Sequence, residues 1–225
     1  MQIHLNHTCT NKLLDDLITD AQISQLLTRL RSYHEETYQH SLRVCLLSLD
    51  LGIQLHLSPS DLWYLGRASL LHDIGKLEIP SDILDKPTAL TPSEIKIMRQ
   101  HVRLGFWAIQ AMENELPDYE IVKKIAVAHH EFSTTPYPRS RTVAHQSQID
   151  NAERRRTDQS IDFLSQIVAI ADMTDALRHA RSYKRSFTRS EIENILRHEF
   201  QGDPALVEYA VWRLTDESNL SMAYH

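Results

Sequence analysis

Leu70-Leu71-His72-Asp73-Ile74-Gly75-Lys76 decides how this chain is read, because an apolar helical run closes there on an adjacent histidine and aspartate, with glycine and lysine directly behind. Imidazole nitrogen and carboxylate oxygen together suit divalent ions such as iron, manganese and zinc. Taken alone, the pair reads equally as a polar helix end with a glycine cap. The weight comes from further candidate ligands, His40, His101, His129, His130 and Asp172, which recur at the ends or on the faces of predicted helices.

The composition around that stretch is that of a helical globular domain. Of 225 residues, 42% are hydrophobic, enough to bury a core within one domain. There are 5 glycines, and none lies between Phe106 and Gln201, which disfavours glycine-rich phosphate loops and hairpin-rich β folds and leaves an all-α fold as the expectation. A formal charge of −6 argues against a nucleic-acid duplex or an anionic membrane as main partner and favours small molecules or proteins. Cys9 and Cys45 are isolated and suggest neither a disulfide framework nor a cysteine-based zinc site, as in the cytoplasm. Met1 to Thr10 lacks a basic-then-apolar leader, and no run of about 18 apolar residues occurs, so no membrane insertion is expected.

Along the chain, Leu13, Leu14, Leu17, Ile18, Leu26, Leu27 and Leu30 predict two helices meeting near Thr19-Asp20. A helix over 35–55 carries Val44, Leu47, Leu51 and Leu55 on one side, while Glu36 and His40, four apart, share a face and could bind one ion. Glu36 alone reads as a first-turn acid favoured by the helix dipole. Ser58-Pro59 opens the helix that ends at His72-Asp73. Thr91-Pro92-Ser93-Glu94 is a capping box opening a helix through Ile95, Met98 and His101, with a bend expected at Gly105. Pro117-Asp118 starts the helix that ends in His129-His130-Glu131, and adjacent helical residues point about 100° apart, so the two histidines suit two different ions.

Residues 133–160 read as a long polar loop, within which Arg154-Arg155-Arg156 is a solvated run with no catalytic role. Ile161 to Ala180 is apolar and helical, interrupted by Asp172 and Asp175. A buried carboxylate needs a partner, and a metal would serve Asp172; Asp175 reads as a support behind the ligands or as a structural cap. Arg181, Tyr183, Lys184 and Arg185 suit phosphate, or they complement a helix C-terminus. Thr188 with Glu191 is a further capping box, and Asp203-Pro204 opens a last helix. The expected layout is an N-terminal helical segment over 1–34, a metal-bearing domain over 35–200, and a C-terminal helix and tail over 201–225.

The ordered set His40, His72-Asp73, His101, His129-His130 and Asp172 resembles the HD phosphohydrolase superfamily. Within it, His72-Asp73-Ile74-Gly75-Lys76, Ile79-Pro80, Ile83-Leu84, Lys86, Leu90-Thr91, Glu94, Met98, His101 and Gly105 are similar to the HD-GYP family almost without gaps, as are His129-His130-Glu131 and Ala171-Asp172-Met173-Thr174-Asp175-Ala176. The departure follows Glu131. That family has Arg, an Asp-Gly pair and Gly-Tyr-Pro there, whereas this chain has Phe132-Ser133-Thr134-Thr135-Pro136-Tyr137-Pro138, keeping Tyr-Pro without the glycines. Gln166 also stands where the family commonly has Arg.

The resemblance implies an HD-domain helical bundle with the metal site in its core and a phosphodiesterase that hydrolyses cyclic di-GMP to pGpG or GMP. It implies two or three divalent ions, iron or manganese first and zinc as another candidate, on His40, His72, Asp73, His101, His129, His130 and Asp172. Asp73 would bridge the ions and be indispensable to catalysis, and Glu36 would complete a third site. Lys76 would touch the scissile phosphate, Arg181 and Lys184 would hold phosphate or guanine, and Tyr137 would stand behind the ligands. The altered loop keeps two alternatives open: an HD phosphohydrolase for another nucleotide or phosphoester, and a catalytically silent module that binds a nucleotide or a protein. With about thirty residues ahead of the motif region, regulation is expected from a separate signalling protein.

Overall fold

Helices begin in this chain where short polar side chains can satisfy free backbone N–H groups. The computed structural model describes residues 2–116, 118–137, 151–179 and 187–214; for 2–8 and 151–157 it describes the backbone course alone. Helix α1 (Gln2–Ile18) gives way at Thr19-Asp20 to α2 (Ala21–Tyr33), whose first N–H groups donate to Asp20. His34 accepts from Thr37 N–H and opens α3 (Glu35–Gln54). Ser58 and Pro59 start α4 (Pro59–Leu71), and a 3-10 turn, Ile74–Glu78, follows. After the short α5 (Ser81–Leu84), the Thr91/Glu94 capping box opens α6 (Pro92–Met98), and α7 (His101–Gln110) and α8 (Tyr119–Val127) complete the first half. Helix α9 (Asn151–Arg178) is the longest, α10 (Arg189–Glu199) starts at a second capping box, and α11 (Pro204–Arg213) is capped by Asp203. The expected all-α class holds: the described residues contain no strand, only a backbone bridge between Ser133 and Phe200.

One apolar core joins the elements, running from Leu14 and Leu17 through Leu49, Leu65, Leu70, Ile125, Ile167 and Val168 to Leu196 and Leu206. Burying each such side chain contributes roughly 1.5–3 kcal/mol, so the helices of 1–34 and 201–214 are integral to the same core as 35–200. Helix α3 packs between α4 and α9, and α8 closes against both α4 and α9. The C-terminal ends of α4 and α8 therefore meet the facing sides of α3 and α9.

Two expectations are corrected. The helix opened by Thr91 is not continuous through His101 with a bend at Gly105. It breaks at Arg99-Gln100, where Gln100 N–H bonds Ile97 O in a tightened turn, and α7 then runs unbroken through Gly105. The polar loop does not extend to 160, because α9 already begins at Asn151; the weak apolar pattern there marks exposure rather than irregular backbone, and Asp158 to Ser160 are exposed. Residues 138–150 of that loop lie outside the described residues.

Gly75, two residues after Asp73, sits directly on the α7 backbone, where an added Cβ would overlap His101 O and Gly105 N. Backbone atoms cannot swing aside as a side-chain end can. Gly75→Ala is therefore expected to destabilise the fold by about 1–3 kcal/mol. An unchanged melting temperature would contradict this packing.

Candidate metal centre

Three histidines are set by the same local device. His72 Nδ1 donates to Ser69 O at 2.7 Å, His101 Nδ1 to Met98 O at 2.7 Å, and His129 Nδ1 to Ala126 O at 2.6 Å. Each acceptor is the carbonyl three residues earlier, at the end of α4, α6 or α8. A carbonyl only accepts, so each Nδ1 carries a ring proton, and in the neutral imidazole each Nε2 presents a lone pair.

Those lone pairs converge without donors. His72 Nε2 is buried with no hydrogen-bond partner, and its neighbours are Asp73 Oδ2 at 3.4 Å and Asp172 Oδ1 at 3.9 Å. His101 Nε2 and His129 Nε2 face one another at 3.4 Å, and in these tautomers neither can donate. Buried acceptors facing acceptors are stabilised by a cation between them, so the donor set fits a divalent metal.

Among the described residues, three groups have donor atoms within 4.8 Å of one another inside the group: His40, His72 and Asp73; His72, His129 and Asp172; and His101, His129 and His130. Asp73 links the halves, with Oδ2 3.6 Å from His40 Nε2 and Oδ1 3.4 Å from His101 Nε2. That spread suits a carboxylate shared by two ions. Asp172 Oδ1 lies 3.0 Å from His40 Nε2.

The electrostatics separate the ligands. Burial lowers the pKa of His101, lowers that of His129 far more, with His130 adding to the effect, and takes His130 to about 4, so these imidazoles are neutral at pH 7. His40 goes the other way: burial opposes its charge, but hydrogen bonds that it donates to Asp172 and Asp175 carry its pKa to about 9. Burial also opposes ionisation of Asp73, yet the Lys76 ammonium, 2.6 Å away, holds it far below the usual carboxylate range.

Most of the predicted site residues meet. His40, His72, Asp73, His101, His129, His130 and Asp172 form the centre, and Lys76 Nζ lies 2.6 Å from Asp73 Oδ2. Asp175 Oδ2 lies 2.8 Å from His40 Nδ1, behind the ligand rather than in the cluster. Tyr137 stacks on His130 at 4.4 Å between centroids. Glu36 does not join: it is exposed and pairs with Arg43 at 3.2 Å. Arg181 and Lys184 lie outside the described residues.

Sequence reasoning missed Arg43 and His179, which hold Asp175 at 2.9 and 3.0 Å. A signal existed, since Arg43 stands three residues after His40 and His179 four after Asp175. The carbonyl anchors left none, being backbone atoms.

The glycine-free loop after Glu131 is tied to the corner between α10 and α11. Thr134 N–H donates to Glu199 O at 3.2 Å, Gln201 N–H to Phe132 O at 3.0 Å, and the Thr134 hydroxyl to the Glu199 carboxylate. Gln166 takes part indirectly, accepting from Asp203 N–H at 2.7 Å at the start of α11.

Two results are expected. Asp175→Asn, which weakens the orientation of His40, lowers affinity for manganese or zinc about 10–100-fold in a chelator competition; unchanged affinity would contradict that role. Because His40 is protonated at pH 7 in the metal-free protein and must be neutral to ligate, loading at pH 7 releases about one proton, and less as pH rises through 9. Calorimetry in buffers of different ionisation enthalpy reads that release directly, and its absence would remove His40 from the ligand set.

A family model described as "HD domain" matches residues 37–177. A cyclic di-GMP phosphodiesterase of Vibrio cholerae is 30% identical over an alignment of 241 positions, covering 96% of this chain and 45% of that protein. A 3'3'-cGAMP-specific phosphodiesterase 1 of the same organism is 34% identical over 164 residues, covering 72% of this chain and 34% of that protein. The chain thus spans less than half the length of either relative. The HD domain of the L. monocytogenes phosphodiesterase PgpH shares the fold, with a TM-score of 0.51 at 15% identity over 87% of this chain and 86% of that one.

Proposed function

The chain belongs to the HD domain family, and we propose that it is a metal-dependent phosphodiesterase that hydrolyses cyclic di-GMP to pGpG or GMP. The observation that carries this reading is the set of three donor groups, spanned by Asp73 between His40 and His101, with acceptor nitrogens turned towards each other. Iron or manganese suits the mixed imidazole and carboxylate donors. Divalent ions held there would supply Lewis acidity and a water acidified towards neutrality.

The residues divide the remaining work. The buried, neutral His101, His129 and His130 keep their Nε2 lone pairs for ligation and take no proton at pH 7. Asp73 and Asp172 remain ionised and offset the charge of the ions. Lys76, partly exposed beside Asp73, is placed to offset charge growing on the non-bridging phosphate oxygens. Arg181 and Lys184 would grip phosphate or guanine from the segment after α9. Among the described residues no helix is long and apolar enough to cross a membrane; the free thiols Cys9 and Cys45 support the proposal of a cytoplasmic reaction.

A second reading, hydrolysis of another cyclic dinucleotide, is favoured by the loop after Glu131. That loop is anchored to Glu199 and Gln201 and lacks the glycines of the Gly-Tyr-Pro pattern, which supports a different substrate preference. A relative named for 3'3'-cGAMP is also 34% identical.

Protein loaded with iron or manganese without oxygen is expected to cleave cyclic di-GMP faster than 3'3'-cGAMP, cyclic di-AMP or phosphomonoesters. A faster alternative cyclic dinucleotide would transfer the assignment to the second reading, and the absence of any phosphodiester turnover would defeat both. Asp73→Ala is expected to lose bound metal and hydrolysis together; hydrolysis retained at full metal content would contradict the role given to Asp73.

A further inference from the structure

Arg99 stands in the turn between α6 and α7, two residues before His101. Its guanidinium carbon lies 4.7 Å from the centroid of the Tyr137 ring, which stacks on His130 with an interplanar angle of 23°. His130 in turn shares a donor cluster with His101 and His129. An exposed cation is thus attached, through one aromatic ring, to the edge of the metal centre.

Arg99 differs from the other cations around the centre. Lys76 is paired with Asp73, and Arg43 with Asp175 and Glu36. The Arg99 guanidinium has no hydrogen bond or ion pair among the described residues, and it lies over the face of Tyr137. Guanidinium is a planar fork of N–H donors that matches phosphate oxygens, and a contact on an aromatic face leaves those donors available.

A cyclic dinucleotide carries two phosphodiesters, of which one reacts at a time. The other brings a full negative charge that must be matched outside the metal centre. We propose that Arg99 binds this second, non-reacting phosphate, with Tyr137 as the platform that holds the guanidinium in place. The inference rests on the reading of the substrate as a cyclic dinucleotide.

Arg99→Met keeps an apolar stem over Tyr137 and removes the donors. Since a contact to a non-reacting phosphate is made equally in the ground and transition states, its loss falls on KM rather than kcat. KM for cyclic di-GMP is expected to rise about 10–100-fold, the usual worth of a hydrogen bond to a charged group. Arg99→Lys should fall between the two. Hydrolysis of bis(p-nitrophenyl) phosphate, which has one phosphodiester, and the bound metal content should both stay at wild-type levels. An unchanged KM for cyclic di-GMP overturns the proposal. Equal loss on both substrates, or loss of metal, also overturns it, because Arg99 would then act through Tyr137 and His130. Wild-type protein that cleaves bis(p-nitrophenyl) phosphate but no cyclic dinucleotide is a separate result, which overturns the substrate reading itself and this inference with it.

Discussion

A backbone carbonyl can accept a hydrogen bond but cannot donate one, and that constraint governs the centre of this molecule. Ser69, Met98 and Ala126 each present a carbonyl to the Nδ1 of the histidine three residues later. The tautomer of His72, His101 and His129 is thereby set, and three Nε2 lone pairs are aimed into buried space. A buried acceptor left without a partner costs about 1–3 kcal/mol, so this arrangement is unfavourable until something positive fills it. The fold provides some compensation in Lys76 and in the raised pKa of His40, both of which bring positive charge to Asp73 and Asp172.

The carbonyls are free to do this because each belongs to a helix end, where the last carbonyls have no intrahelical donor. His72 and His129 follow the ends of α4 and α8 by one and two residues, His101 opens α7 three residues after α6 ends, and α3 and α9 deliver His40 and Asp172 from their sides. A long helix face supplies one ligand per turn; the convergence of several ends supplies many in a small volume. The apolar core fixes the relative position of those ends, and the close contact of Gly75 with the backbone at His101 and Gly105 brings the third end into register with the first. Core packing and metal chemistry are therefore one structural problem here.

Much of this was legible in the sequence because the signals are local side chains. Ser58-Pro59, Thr91 with Glu94, Thr188 with Glu191, and Asp203-Pro204 announce helix starts, and each is realised as a cap. The ligands announce themselves as polar residues closing or interrupting apolar runs. What was not legible depends on backbone or on distant partners. The break at Arg99-Gln100 has no Gly or Pro to mark it, and the helical course of residues 151–160 is hidden by a composition that also fits a loop. Glu36 shares a helix face with His40, as its spacing required, yet Arg43 one turn further on draws it outward. The path of the loop after Glu131 depends on Glu199 and Gln201, more than sixty residues away in sequence.

The most direct test of the account is anomalous diffraction at the metal absorption edge from crystals of the protein loaded with manganese or iron. The account predicts metal contacted by Nε2 of His72, His101 and His129, with Asp73 reaching both halves of the site and each Nδ1 still on its carbonyl. Metal bound through an Nδ1, or protein that binds no metal while those Nε2 atoms stay buried and unpaired, would contradict it.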